Sequence, residues 1–422
     1  MFSIIETKQP KNLYYYWFIA IIVFGCFDGI FLGTIFTFLP TVRTLLYLGL
    51  FVVTLLQYGF SKFRLNIWMK FFIVYLTIEG LINFDEYALY NYLGLNFFIK
   101  NIFQIIILYC FAYYEKMTGH KIEELYRIII NTVTIWCIAN FILYFVNIPI
   151  WGPQRHIWWG RIACGYPTVD VITLNFALII LLFTKIELPK GRILISSFLI
   201  IVSIMGQASG TGSFILICTL IYYAFCKLIE SRFNVKLIMQ MLVIIVVSVF
   251  LATNVAKMYK NYDSSMYDAA ISILKDKYYG IVGQSKKISN FDTMDMREEV
   301  ANRALKKQNS LTDKLFGLGF AQLDYSEGRS GWNSRYVMIE NQYKVNQFSM
   351  GYIGHILFIL AVYIGLLKIK IISTDKRRLL CIFFFMYAMS GLTTTTFVSF
   401  PIQVIFAIIY TLQNKYINKQ ID

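Results

Sequence analysis

Residues 192–227 read RILISSFLIIVSIMGQASGTGSFILICTLIYYAFCK, and no charged side chain occurs between Arg192 and Lys227. The stretch divides at Gly206-Gln207-Ala208-Ser209-Gly210-Thr211-Gly212 into two apolar runs, 192–207 and 213–229. Glycine turns the backbone sharply at little steric cost, so the pattern predicts a tight helical hairpin at a membrane edge. As helices, runs of about 18 to 22 apolar residues span roughly the 30 Å of a bilayer's hydrocarbon.

Outward from this hairpin the same reading repeats along the chain. Helices are predicted over 14–39, 43–60, 68–84, 97–115, 125–147, 168–185, 192–207, 213–229, 236–256, 347–368, 379–396 and 400–414. The runs are continuously apolar rather than alternating, which excludes a β-barrel. The expected fold is therefore all-α: a polytopic integral membrane bundle of about 12 transmembrane helices. Composition agrees, with 58% hydrophobic and 15% charged residues, too few charges to cover a soluble protein of 422 residues.

The net charge of +15 points to the lipid surface rather than to nucleic acid, because Lys and Arg are spread through short loops. One set of loops holds Lys8/Lys11, Lys62/Arg64/Lys70, Lys116/Lys121/Arg127, Lys185/Lys190/Arg192, Lys227/Arg232/Lys236, Lys368/Lys370/Lys376/Arg377/Arg378 and Lys415/Lys419. The opposite short loops hold only Arg43, Lys100, Arg155 and Arg161, a bias of 21 against 4. Both termini are thus expected in the cytoplasm of a multi-pass protein. Pro10-Lys11-Asn12 leads into the first span without a small-residue cleavage site, so that span is expected to act as the insertion signal.

Three segments follow: helices 1–9 over 1–256, a large extracytoplasmic loop over 257–346, and helices 10–12 with a cytoplasmic tail over 347–422. Within the loop, Asp292 to Lys307 reads as an amphipathic helix, with Met294, Met296, Val300, Ala304 and Leu305 apolar between charges. The seven cysteines form no CxxC and no Cys/His cluster, so neither a disulfide framework nor a metal site is expected, and no cofactor.

Candidate chemistry gathers in three places. The first is Trp151-Gly152-Pro153-Gln154-Arg155-His156-Ile157-Trp158-Trp159-Gly160-Arg161. Its residues suit an aromatic belt with anchoring arginines, or equally a site in which Trp158 and Trp159 stack on sugar while Arg155 and Arg161 fork onto phosphate. The second is Ser209-Gly210-Thr211-Gly212-Ser213, either a plain helix-hairpin turn or a helix start offering N–H groups to an anion. It lacks the G-x-x-x-x-G-K spacing of a nucleotide P-loop. The third runs from Arg297 and Arg303 through Leu315-Phe316-Gly317-Leu318-Gly319-Phe320 to Glu340-Asn341-Gln342-Tyr343 and Gly351-Tyr352-Ile353-Gly354.

In this order and spacing the chain resembles the oligosaccharide-repeat-unit polymerases of bacterial capsules and O-antigens, in the superfamily that includes the O-antigen ligases. The resemblance rests on Arg161 leading to a helix at Thr168, the small-residue hairpin Ser209–Ser213, Arg297 through Gly-x-Gly-Phe at Phe320, and Glu340 through Gly354. Two places depart from the family pattern. Gly212 stands where many relatives carry Arg, and Glu340 where the ligases commonly carry His.

The resemblance implies transfer of glycan from a polyprenyl diphosphate to another lipid-linked repeat unit, with no metal. Arg161, Arg297 and Glu340 are the implied catalytic groups. Arg155, Arg303, Asn341, Tyr343, Ser209, Thr211, Trp158 and Trp159 are the implied substrate contacts. Implied partners are the polyprenyl-diphosphate-linked oligosaccharide as donor and acceptor, the bilayer of the bacterial cytoplasmic membrane, a chain-length regulator and a flippase. The alternatives are a lipid-linked oligosaccharide flippase or transporter, and an O-antigen-ligase-like transferase. A flippase needs charges inside the bundle, and the spans hold few, Asp28, Glu79 and Asp170 being the notable ones.

Overall fold

A computed structural model describes residues 12–31, 39–60, 65–82, 84, 93–146, 163–164, 167–207, 209–231, isolated positions between 257 and 275, 300–321 and 339–418. In hydrocarbon every backbone donor and acceptor must find a partner inside the protein, and a helix does this within one apolar run. Most of the described residues are accordingly helical, and no strand occurs among them. In chain order they form α1 (Leu13–Phe31), α2 (Leu39–Tyr58), α3 (Ile67–Ile82), α4 (Leu93–Ala112), α5 (Tyr114–Thr118) and α6 (Leu125–Val146). Then follow α7 (Pro167–Phe183), α8 (Lys190–Gly206), α9 (Gly210–Glu230), α10 (Leu311–Phe316), α11 (Gln342–Tyr363), α12 (Thr374–Gly391) and α13 (Phe400–Asn418).

Among the described residues, five helical segments are long and apolar enough to cross a membrane: Thr41–Tyr58, Gly94–Ala112, Ile122–Val146, Gly210–Glu230 and Gln342–Lys370. Leu13–Phe27 and Thr168–Phe183 are shorter apolar helices. Several boundaries differ from the sequence expectation. Of the helix expected over 14–39, the part to Phe31 is helical, and residues 32–38 lie outside the described residues. The helix expected over 379–396 runs from Thr374 to Gly391, and residues 392–399 are a non-helical turn rich in threonine, whose branched side chains suit extended backbone. The span expected over 236–256 lies outside the described residues.

The chain divides into two compact units. The first takes its described residues from Met1–Asp28, Phe38–Ile129 and Thr293–Asp422. In it α3 packs along α11, with Phe72 and Phe358 in edge contact at 5.6 Å. α4 lies along α13, joined by Gln403 Nε2 donating to the Lys100 carbonyl at 2.8 Å and Gln104 Nε2 to the Gln403 carbonyl at 3.2 Å. One end of this unit gathers Asn12 with Met117, and Asn66 with Ala361 and Tyr410. The other gathers Arg43 over the Phe400 ring, and Asn341 with Leu392.

At the first end lies an internal ion cluster. Lys415 Nζ donates to both Glu115 Oε1 and Glu123 Oε2, and the Tyr416 hydroxyl donates to Glu123 Oε1 at 3.1 Å. Lys415 and Glu123 are 12% and 10% exposed, whereas Glu115 is 38% exposed. Removing one partner of a buried pair strands the other, so Lys415→Met should cost about 3 kcal/mol. Glu115→Gln should cost far less, because water reaches that carboxylate. Thermal unfolding in detergent reads both. An unchanged melting temperature for Lys415→Met would show that the cluster does not tie α13 to the α5–α6 elbow.

The second unit takes its described residues from Gly29–Thr37 and Ile130–Asp292. Here Thr134 Oγ1 donates to Ser196 Oγ at 2.9 Å, and Asn140 Oδ1 accepts from the Cys164 amide at 2.9 Å. α7 meets α9 at Gly212, where Asn175 Nδ2 donates to the Gly212 carbonyl at 3.2 Å.

A candidate functional site at a broken helix

The third sequence cluster becomes one place in the first unit. α11 is interrupted at Gly351, whose φ of +61° and ψ of −167° are not helical. In an unbroken helix the carbonyls of Gln347, Phe348 and Ser349 pair with the amides four residues on. Here they accept bonds from the polar loop. Leu318 N donates to Phe348 O at 2.9 Å and Gly319 N to Ser349 O at 3.0 Å. The buried Gln308 adds its Nε2, 2.8 Å from Gln347 O and 3.3 Å from Phe348 O. From α3 the Tyr75 hydroxyl lies 3.0 Å from Met350 O and 3.3 Å from Phe316 O, sharing one proton between them.

Two glycines make this clasp possible. Gly317 has φ +89° and ψ −178°, and Gly351 occupies the same sparsely populated region, which only glycine enters without strain. The two backbones also touch. A Cβ on Gly317 would lie 2.4 Å from the Ser349 backbone, and one on Gly351 would lie 2.3 Å from Leu315 O. The loop continues to Phe320 and Ala321, both buried, where a Cβ on Gly94 of α4 would meet the Phe320 carbonyl at 2.1 Å. Neither Gln308 nor Tyr75 stands out in the sequence, since each bonds to backbone of a distant segment.

Because of the break, the start of α11 folds back beside its second half, the Tyr343 ring lying 6.2 Å from that of Phe358. Asn341 is its N-cap: Oδ1 accepts from the amides of Tyr343 at 3.0 Å and Lys344 at 3.1 Å, while Nδ2 donates to Leu392 O at 3.0 Å. Tyr343 points inward, its hydroxyl 2.9 Å from that of Tyr363 and donating to Ala388 O at 3.0 Å. Its ring fills the space beside Gly391. Glu340, just before the cap, is exposed at the positive end of the helix. Helical residues 300–305 pack through buried Ala301 and Ala304 and leave Asn302 and Arg303 exposed, and Lys344 Nζ reaches Asn302 Oδ1 at 3.5 Å. A buried polar seam supports the arrangement. Gln342 Nε2 donates to Asn346 Oδ1 at 2.8 Å, its Oε1 accepts from Phe397 N at 2.9 Å, and Gln403 Nε2 donates to Phe397 O at 2.6 Å.

In the second unit, Ser209 caps α9, its hydroxyl accepting from Gly212 N at 3.4 Å. Thr211 is partly exposed in the first turn. Beside them Gln207 is fully buried, and neither side-chain polar atom has a partner among the described residues. Gly212 is buried with a Cβ position 2.6 Å from the Val171 side chain, so the hairpin has no room there for the arginine of the family pattern. Arg155, Trp158, Trp159, Arg161 and Arg297 lie outside the described residues. Among the described residues no three His, Cys, Asp or Glu side chains group as metal ligands. No protein-family model and no curated protein matches the chain.

Proposed function

We propose that this chain is a membrane glycosyltransferase that polymerises polyprenyl-diphosphate-linked oligosaccharide repeat units on the outer face of a bacterial cytoplasmic membrane. The observation that supports the reading is the clasp. The Gly-x-Gly-Phe segment and the glycine break of the helix that follows Glu340-Asn341, about thirty residues apart and each weak alone, meet at one point of the fold. The reading takes about 12 spans, cytoplasmic termini and residues 257–346 on the outer side.

In this mechanism Arg161 and Arg297 grip the donor diphosphate, with Arg155 and Arg303 adding positive charge. Glu340 accepts the proton of the acceptor hydroxyl. The freed oxygen attacks the anomeric carbon, the bond to the diphosphate oxygen breaks, and polyprenyl diphosphate leaves with inversion at that carbon. Asn341 and Tyr343, with their polar atoms engaged in the fold, position Glu340. Ser209 and Thr211 offer hydroxyls, and Trp158 and Trp159 ring faces, to glycan.

A broken helix is also the hallmark of secondary transporters, where freed carbonyls bind an ion or substrate. Here the loop and Tyr75 already donate to the carbonyls of residues 347–350. Glu340→Gln tests the enzyme reading. Polymer formation should fall about a hundredfold, the usual contribution of a general base, with the protein still in the membrane. Wild-type chain growth in that variant would remove Glu340 from the chemistry.

A further inference from the structure

α10 carries apolar side chains that stay largely exposed among the described residues. Leu311, Leu315 and Phe316 are 74%, 36% and 46% exposed, with Ser310, Thr312 and Lys314 also exposed around them. In water such a face is unfavourable. Its depth accounts for it. The loop is fixed to α11 at residues 347–351 and to α3 at Tyr75. Seven residues of α3 extend beyond Tyr75 to Ile82. At about 1.5 Å per residue the attachment lies roughly 10 Å inside the end of that helix. On α3, Ile78, Leu81 and Ile82 lie still nearer that end and are 50%, 55% and 62% exposed. Apolar surface therefore continues outward past the level of α10.

We propose that residues 308–321 form a re-entrant element seated in one leaflet of the bilayer, with α10 presenting Leu311, Leu315 and Phe316 to lipid acyl chains. The backbone is prepared for such a place, where an unsatisfied amide costs several kcal/mol. Ser310 and Asp313 cap α10 reciprocally, Gly317 N donates to Asp313 O, and the next two amides donate to α11. Lys314 can extend its stem along lipid and keep its ammonium at the headgroups. The sequence places this segment in an aqueous loop. The inference does not depend on the reaction proposed above.

The test uses the full-length protein in phospholipid vesicles opened with a pore former, so that reagent reaches both sides. Leu311→Cys, Leu315→Cys and Phe316→Cys are compared with Lys306→Cys and Asn309→Cys, and a water-soluble maleimide adduct is read on each peptide by mass. The first three should react at least about tenfold more slowly, because maleimide needs a thiolate and an apolar surround suppresses it. Equal rates at all five positions would overturn the proposal. Should a cysteine variant misfold, benzoylphenylalanine in place of Phe316 gives a second reading. Photo-crosslinking should add the mass of a phospholipid, whereas adducts to protein alone would assign this face to a partner and overturn the proposal.

Discussion

Cells carrying Arg297→Ala or Arg161→Ala are expected to make no polymer, while single repeat units still reach the surface. Departure of a diphosphate develops charge on oxygen at the breaking bond. A well-placed cationic donor is worth about 3 to 4 kcal/mol there, or on the order of a hundred- to a thousandfold in rate. Under the proposed mechanism both groups serve one transfer step, so loss of either should remove most of the activity, because such effects are not additive. Lysine at either place should restore little, because it cannot reproduce the planar fork. Gel analysis of extracted surface glycan is the readout. A normal ladder of chain lengths in both alanine variants would end the roles assigned to them.

The second large effect is expected at the clasp. Gly351→Ala and Gly317→Ala each force a side chain into a backbone region that costs about 1–3 kcal/mol outside glycine. Each also drives a Cβ against backbone that has no flexible end to move, at 2.3 Å from Leu315 O and 2.4 Å from Ser349 respectively. Either substitution should lower the melting temperature in detergent clearly and detach residues 308–321 from α11. Because the two glycines face the same contact, the double variant should lose less than the sum of the singles. Protease cutting between Gln308 and Ala321 reports the detachment. Wild-type stability and resistance for both single variants would mean that the clasp contributes nothing.

Helices and the turn at 207–209 were readable from the sequence because both are local: an apolar run long enough to span lipid, and glycines at its middle. The break in α11 was not. Apolar residues continue on both sides of Gly351, so hydropathy runs through it, and only backbone angles and the loop's bonds reveal an interruption. Residues 392–396, expected to continue the helix, lie instead in the turn after Gly391, with Leu392 keeping the run apolar past its end. Lys415 reads as one more loop cation, yet it is internal and shared by two carboxylates.

At the candidate site the residue types were legible and their duties were not. Asn341 and Tyr343 stood out as polar and aromatic residues beside a span. Their hydrogen bonds run to Leu392, Tyr363 and Ala388, partners that no spacing rule supplies. Gly212 packs so closely on Val171 that a Cβ would lie 2.6 Å from its side chain, a contact that sequence does not reveal.

Repeat-unit joining is tested most directly by the glycan made in cells from which this chain is deleted. The account predicts lipid-linked glycan of a single repeat unit, exposed on the outer face. Repeat units trapped on the inner leaflet, or full-length polymer accumulating on its lipid carrier, would contradict it.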